Sequence, residues 1–157
     1  LVEVARTFGG VPHRIEFVRE LDGVKYYNSS IDSTPTRTEA ALSVFDCRPV
    51  FILCGRDKHV PFDSLARALY DRAGGVVVSG EAMPVIRRAL EAEAARRGSD
   101  SLPIAYEDDF FAAIDRARTL ARPGSAVVLS PSCTSFDRFR NFEERGDAFR
   151  EYVKKLV

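Results

Sequence analysis

The chain has 157 residues, 45% of them hydrophobic, and its 23 Lys and Arg residues equal its 23 Asp and Glu residues in number. This length predicts one domain with a sizeable core, and the charge balance argues against nucleic acid or an anionic membrane as a partner. No apolar run reaches the roughly 18 residues of a membrane span, and no signal peptide is recognised. The three cysteines include no CxxC pair, which is typical of a reducing cytoplasm, and Cys133 is interpreted as a small packing residue.

Strand-like runs and amphipathic segments alternate along the whole sequence. In chain order they predict the end of a helix at 2–8, strands at 15–20 and 24–27, a helix at 35–44, a strand at 50–53, a helix at 62–72, a strand at 76–78, a helix at 82–97, a strand at 104–106, a helix at 109–121, a strand at 126–129 and a helix at about 143–156. Asp22-Gly23 predicts a hairpin turn, and Ser33 or Thr34 is the expected N-cap before Pro35. We therefore predict an α/β, Rossmann-like, mostly parallel sheet with one antiparallel edge hairpin and helices on both faces.

The sequence lacks the common signatures of a self-sufficient nucleotide-binding or catalytic domain. It contains no GxGxxG and no GxxxxGK[ST] phosphate loop. Neither Ser132 nor Ser135 lies in a GxSxG elbow. His13 and His59 are far apart, and no carboxylates stand at ligand spacing. We therefore predict no metal site, and none of the common catalytic motifs is present.

The most informative segment is 127–147, which reads VVLSPSCTSFDRFRNFEERGD. A predicted buried strand leads into the small residues of 130–135, and a helix-forming segment with Phe136, Phe139 and Phe142 follows. Because ligands of open α/β sheets bind beyond the carboxyl ends of the strands, these hydroxyl groups indicate a polar pocket for a small anion. The alternative is that the hydroxyls cap the next helix and the Phe residues pack in the core.

Three predicted loops, 28–36, 55–61 and 130–138, follow strands and should therefore meet at one edge of the sheet. They combine a cation, Lys58, with backbone N–H groups at helix starts, and such a set suits a carboxylate ligand. The hydroxyls that accompany Lys58 are those of Ser33, Thr34, Ser132 and Ser135. The alternative for Lys58 is an ordinary solvated lysine on the surface.

Five short motifs carry a resemblance to a known family, in the right order along nearly the whole chain. They are Pro12-His13-Arg14, Asn28-Ser29-Ser30 leading to Ser33, Gly55-x-Asp57-Lys58, Leu129–Asp137 and Asn141–Asp147. The sequence resembles the C-terminal domain of the Mur ligases, in particular the group that adds D-glutamate. The resemblance implies that 1–157 form this amino-acid-binding domain, with about 1–10 ending a connection from a central ATPase domain.

The resemblance also implies a reaction. ATP with Mg²⁺, bound mainly by the central domain, would phosphorylate the carboxylate of UDP-N-acetylmuramoyl-L-alanine, and the amine of D-glutamate would then attack the acyl phosphate. The whole ligase would work in the cytoplasm, in the peptidoglycan synthesis that cell shape and division require, with its own N-terminal and central domains as partners. The C-terminal domain alone is expected to be inactive.

Matched motif by motif, the resemblance assigns eight residues. Those that it places at D-glutamate are Lys58, Ser33, Ser135, Phe136 and Phe142. Those that it places at ATP are Arg14, Asn28 and Ser29. The chemistry is suitable, because lysine pairs with a carboxylate, hydroxyls form hydrogen bonds and a guanidinium stacks on an adenine. Without the resemblance, Arg14 is an ordinary arginine at the start of a strand.

The motif that begins at Asn28 departs from the family pattern. The family has Asn-Asp-Ser-Lys-Ala-Thr-Asn where this chain has Asn28-Ser29-Ser30-Ile31-Asp32-Ser33-Thr34. An acid is lost at Ser29 and a base at Ile31, and Asp32 is a candidate replacement for the acid. Two alternatives therefore stay open: a Mur-type ligase domain for another amino acid, and a non-catalytic module that binds a small acid.

Overall fold

A computed structural model describes residues 11–99 and 101–157. The helix end predicted at 2–8 and the interdomain connection predicted at about 1–10 lie outside the described residues. The strands are β1 (Glu16–Leu21), β2 (Val24–Asn28), β3 (Val50–Cys54), β4 (Gly75–Ser79), β5 (Ile104–Tyr106) and β6 (Ala126–Ser132). The helices are α1 (Pro35–Leu42), α2 (Asp63–Arg72), α3 (Met83–Arg97), α4 (Phe110–Leu120) and α5 (Phe142–Lys154).

The six strands form one sheet in the order β1-β2-β6-β3-β4-β5. β1 pairs with β2 antiparallel, and all other neighbours are parallel. The predicted fold, including the antiparallel hairpin at one edge, is confirmed. Because β6 lies between β2 and β3, the segments that follow these three strands leave the sheet side by side.

Helices cover both faces of the sheet. Alternate residues of the buried strands point to opposite sides, so that Phe51 of β3 joins the core with α1, α2 and α3 while Ile52 joins the core with α4 and α5. β3, β4 and β6 are buried along their whole length, as expected for central parallel strands. None of the helices described is long and apolar enough to cross a membrane.

Side-chain caps fix where three helices begin. Thr34 accepts a hydrogen bond from the amide of Arg37 at 3.3 Å, which settles the choice between the two predicted caps of α1. Asp109 caps α4 and Asn141 caps α5, each through the amide three residues on, at 2.9 and 2.8 Å. Each cap satisfies a backbone N–H that has no partner within the helix.

One part of the sequence prediction is wrong. β6 continues to Ser132, and residues 133–141 form turns, so that Phe136 and Phe139 are not helical. The strand is longer because it pairs with β3 as far as Ser132, through a register shift. The turn is stabilised by the carbonyl of Ser135, which accepts the amides of Arg138 and Phe139 at 3.1 and 2.8 Å. These contacts depend on tertiary structure, which local periodicity does not report.

α5 packs closely against His13 and the end of β2 at Gly146. A Cβ atom on this residue would lie 2.2 Å from Nδ1 of His13 and 2.9 Å from Nδ2 of Asn28. The absence of a side chain therefore lets α5 lie against the strand end that leads into the candidate site.

We expect Gly146→Ala to lower the free energy of unfolding by about 2 kcal/mol, because overpacking outweighs the gain in helix propensity. The measurement is denaturant unfolding of the chain. Glu151→Ala, at an exposed position of α5, is the control and should change stability by less than about 0.5 kcal/mol. A stabilised Gly146→Ala variant would contradict the close approach.

Candidate functional site

Three loops leave the sheet at the carboxyl ends of its parallel strands. We call 29–34 after β2 the first loop, 55–61 after β3 the second loop and 133–141 after β6 the third loop, and together they form the carboxyl-edge site. The prediction that the segments after these strands share one edge is confirmed by the strand order. In open α/β sheets this edge is where ligands bind.

Backbone hydrogen bonds join the first loop to the end of β6 and the second loop to the third. The amide of Ser132 donates to the carbonyl of Asp32 at 2.8 Å, which links the end of β6 to the first loop. Arg56 and Thr134 form a two-way bridge, N to O at 2.9 and 3.3 Å, which links the second and third loops. The three loops therefore form one connected surface.

The buried guanidinium of Arg145 lies beneath these loops and is only 1% exposed. Its Nε donates to Oγ of Ser30 at 2.9 Å, Nη2 to the carbonyl of Ser30 at 2.9 Å, and Nη1 to the carbonyl of Cys133 at 3.0 Å. The second loop passes directly above, since a Cβ on Gly55 would lie 3.1 Å from Nη1. Burial lowers the pKa of Arg145, yet each of its three nitrogens donates a hydrogen bond, and none of these bonds goes to a carboxylate.

Arg145 belongs to the Asn141–Asp147 motif, but no role is predicted for it from the sequence. A signal was present: Arg145 falls on the buried stripe of α5, three and four residues from Phe142 and Phe149. An arginine on the apolar face of a helix must find buried acceptors, and loop carbonyl groups at a sheet edge provide them.

Gly55 allows the second and third loops to touch. Its φ is +127°, and a Cβ there would lie 2.1 Å from the carbonyl oxygen of Thr134. Only glycine combines this backbone conformation with such a close approach. Lys58 stands three residues later in the same loop, at an exposed position.

The residues predicted to hold D-glutamate all lie on or beside the three loops. Lys58 is exposed on the second loop, Ser33 is half-buried on the first, and Ser135 is buried on the third. Phe136 is 59% exposed at the tip of the third loop. Phe142 is the first residue of α5, and its carbonyl accepts the hydroxyl of Ser30 at 2.7 Å. The structure places these positions at one edge; their role stays a prediction.

The residues predicted to contact ATP differ in accessibility. Arg14 is exposed, whereas Asn28 is fully buried at the end of β2. Nδ2 of Asn28 donates to Nδ1 of His13 at 3.0 Å and to Glu16 at 3.2 Å, and its Oδ1 accepts the amide of Ser30 at 3.1 Å. Asn28 therefore orders the turn that carries Arg14, and its contact with a nucleotide stays a prediction.

Ser29, the third of these residues, is also buried. Its hydroxyl accepts the amide of Ile15 at 3.1 Å and hydrogen-bonds to the carboxyl group of Asp32, where it opposes the rise in pKa that burial causes. The serine thus connects the Arg14 turn to the first loop. As with Asn28, nucleotide binding by Ser29 stays a prediction.

Two hydroxyls expected to face a ligand have a structural role instead. Ser130 and Ser132 are buried in β6. Oγ of Ser130 donates to Oδ2 of Asp32 at 2.7 Å, and Oγ of Ser132 donates to Oγ1 of Thr38 at 2.7 Å. The interpretation of Ser132 as a pocket residue was therefore wrong, because β6 continues through it and directs its side chain into the protein.

The described part of the chain contains no cluster of three or more His, Cys, Asp and Glu residues arranged to hold a metal ion. His13 is buried beside Asn28, and His59 is exposed on the second loop with its amide bonded to Asp57 at 2.9 Å. The two histidines therefore serve separate parts of the structure.

We expect Arg145→Met to lower the free energy of unfolding by about 3 kcal/mol, since buried carbonyl and hydroxyl acceptors lose a charged donor. The measurement is denaturant unfolding monitored by circular dichroism. The matched control is Arg140→Met, because Arg140 is an exposed arginine that pairs with Glu144 at the start of α5 and should contribute less than about 1 kcal/mol. Equal effects of the two substitutions would contradict the anchoring role.

The cysteines should differ in reactivity. Cys54 and Cys133 are buried, and burial raises the pKa of Cys54 to about 11 and that of Cys133 further; the prediction that Cys133 is a packing residue is confirmed. Cys47 is half-buried. A thiol reagent at pH 8 should therefore label Cys47 alone in the native chain and all three residues after unfolding. Native labelling that survives Cys47→Ser would contradict this.

Comparisons with known proteins show which family the chain is similar to. A family model described as "Mur ligase, glutamate ligase domain" matches residues 13–133. The chain is 47% identical over 156 residues to UDP-N-acetylmuramoylalanine--D-glutamate ligase of Clostridium novyi (strain NT), covering 99% of this chain and 34% of that protein. It is 45% identical over 155 residues to the protein of the same name from Clostridium perfringens (strain 13 / Type A), covering 98% and 33%.

A solved structure shows the same fold at greater distance. Mycobacterium tuberculosis folylpolyglutamate synthase, complexed with ADP and AMPPCP, superposes with a TM-score of 0.60 at 17% identity, over 94% of this chain and 33% of that one. The chain thus spans about a third of the length of the curated relatives that it matches. Since the family model covers most of this chain, the chain belongs to the Mur ligase family and contains its glutamate ligase domain.

Proposed function

We propose that the chain is the amino-acid-binding, C-terminal domain of an ATP-dependent ligase that adds D-glutamate to UDP-N-acetylmuramoyl-L-alanine in cytoplasmic peptidoglycan synthesis. The observation that carries the proposal is the joining of three loops at one sheet edge, with all five matched D-glutamate positions on or beside them. The names of the relatives support the same substrate.

In this proposal side chains on the three loops of the carboxyl-edge site bind D-glutamate. The ammonium of Lys58 pairs with a carboxylate, and the hydroxyls of Ser33 and Ser135 provide hydrogen bonds. Phe136 and Phe142 border the ligand at the third loop and the start of α5. Such an arrangement leaves the amine of D-glutamate to attack an acyl phosphate presented from the rest of the ligase.

The nucleotide is proposed to lie at the neighbouring side of the same edge. The exposed guanidinium of Arg14 is suited to stack on the adenine, and the Asn28–Ser29 segment supports the turn from which it projects. ATP and Mg²⁺ would be held mainly by a central domain, and UDP-N-acetylmuramoyl-L-alanine by an N-terminal domain. This chain binds D-glutamate and makes part of the contact with the nucleotide. By itself it should neither hydrolyse ATP nor form the amide.

The first experiment is amide formation by the full-length ligase with ATP and UDP-N-acetylmuramoyl-L-alanine, with D-glutamate compared against L-glutamate and other amino acids. Selective use of D-glutamate supports the proposal. Selective use of another amino acid would assign the domain to a different Mur-type ligase. Tight binding of a small acid by the isolated chain, without turnover in the full-length protein, would favour a binding module.

Substitution of Lys58 is the most direct test of the proposed D-glutamate contacts. We expect Lys58→Ala in the full-length ligase to raise the KM for D-glutamate about 10- to 100-fold, because a charge-assisted contact is lost, while the melting temperature stays unchanged. Lys154→Ala is the matched control, since Lys154 is an exposed lysine at the end of α5. An unchanged KM for D-glutamate would remove Lys58 from the site.

A further inference from the structure

Asp32 is a buried carboxylate that is not among the residues proposed above to contact D-glutamate or ATP. It is 5% exposed and lies in the first loop, next to Ser33. Its Oδ2 accepts the hydroxyl of Ser130 at 2.7 Å, and its carboxyl group also hydrogen-bonds to Ser29. Burying a carboxylate is costly unless hydrogen bonds compensate, and here two hydroxyl groups from different strand ends converge on it.

The backbone of Asp32 makes the same two connections as its side chain. Its amide donates to the carbonyl of Ser29 at 2.9 Å, and its carbonyl accepts the amide of Ser132 at 2.8 Å. One residue therefore fastens the end of β2 to the end of β6 through both main-chain and side-chain bonds.

On the side of β2, the connections reach a strained turn. Ile15 has a φ of +44°, which is an outlier for a β-branched residue. Its amide is held by the hydroxyl of Ser29 at 3.1 Å, and Ser29 in turn hydrogen-bonds to Asp32. Arg14, the proposed adenine contact, immediately precedes Ile15, so Asp32 helps to hold the turn from which Arg14 projects.

On the side of β6, the connections reach a second left-handed residue. Ser132 has a φ of +68°, and its amide and hydroxyl are held by Asp32 and Thr38 respectively. Ser132 is the last residue before the third loop, which carries two of the proposed D-glutamate contacts, Ser135 and Phe136. Asp32 thus stands between two strained positions, and each of them directs one part of the proposed site.

We propose that Asp32 is a positioning residue that couples the nucleotide side of the carboxyl-edge site to its D-glutamate side. The inference rests on the proposed function for the identity of the two ligands. In this proposal Asp32 supports the nucleotide side through Ser29 and Ile15. It supports the D-glutamate side through Ser130 and Ser132. Asp32 touches neither ligand.

The test compares Asp32→Asn with a matched variant in the full-length ligase. The control is Glu93→Gln, which neutralises an equally buried carboxylate, also 5% exposed, that pairs with Arg96 and Arg97 on α3. We expect Asp32→Asn to raise the KM for ATP and the KM for D-glutamate by about tenfold each, since a hydrogen-bonded charge is lost. Both KM values should stay at the wild-type level in Glu93→Gln.

Ser130→Ala separates the two branches and serves if Asp32→Asn does not fold. It removes the hydroxyl on the β6 side alone, so we expect a higher KM for D-glutamate and an unchanged KM for ATP. A lower melting temperature with both KM values unchanged in Asp32→Asn would overturn the proposal, as would a change in only one of them. An unchanged KM for D-glutamate in Ser130→Ala would overturn it too.

Amide hydrogen exchange makes the test independent of turnover. Asp32→Asn should lose protection at the amides of Ile15 and Ser132, and Glu93→Gln should retain it. If the wild-type ligase forms no product with D-glutamate, the proposed function fails, and the exchange result still decides whether Asp32 positions both turns. Unchanged protection at either amide would overturn the positioning role.

Discussion

The geometry of the carboxyl-edge site depends on one buried guanidinium. Arg145 takes the place that an apolar side chain would have on α5 and donates to the hydroxyl and carbonyl of Ser30 in the first loop and to the carbonyl of Cys133 in the third, while Gly55 brings the second loop over it. Loops are usually the mobile parts of an α/β domain. Here a planar cation with fixed donor directions holds two of them against one helix, and the Arg56–Thr134 bridge joins the second loop to the third, so the binding surface has a rigid base.

The polar residues of this edge form two layers with different tasks. The lower layer is buried and internally bonded, and it includes Asn28, the Asp32–Ser130 pair and Arg145. The upper layer is exposed and includes Arg14, Lys58 and Phe136. The lower groups hold the backbone in left-handed and closely packed conformations, and the upper groups are free to meet ligands or other parts of the ligase. The departure at Ser29 therefore falls in the lower layer, and the one at half-buried Ile31 falls between the two layers.

The sequence predicted the fold well because hydrophobic periodicity and cap residues are local signals. Every strand and full helix within the described residues was anticipated, as was the antiparallel hairpin at the edge. The end of β6 and the turns after it were not, since they depend on pairing with β3 and on bonds to the first loop. For the same reason the sequence predicts a ligand-facing hydroxyl at Ser132, whereas the structure has a buried one that bonds to Thr38. Arg145 was seen in its motif, but its partners are distant in sequence and only the folded chain identifies them.

The place of β6 in the sheet has a consequence for how the chain folds. The hairpin of β1 and β2 and the group of β3, β4 and β5 have no strand pairing with each other until β6 lies between them. The last strand, β6, therefore closes the sheet, and it pairs with residues about 100 positions earlier in β2 and about 80 positions earlier in β3. Contacts of such long range slow folding through the entropy of loop closure. During synthesis β1 to β5 leave the ribosome before β6, so the edges of β2 and β3 that β6 later covers are still unpaired. Both edges need protection from other chains until residue 132 has emerged.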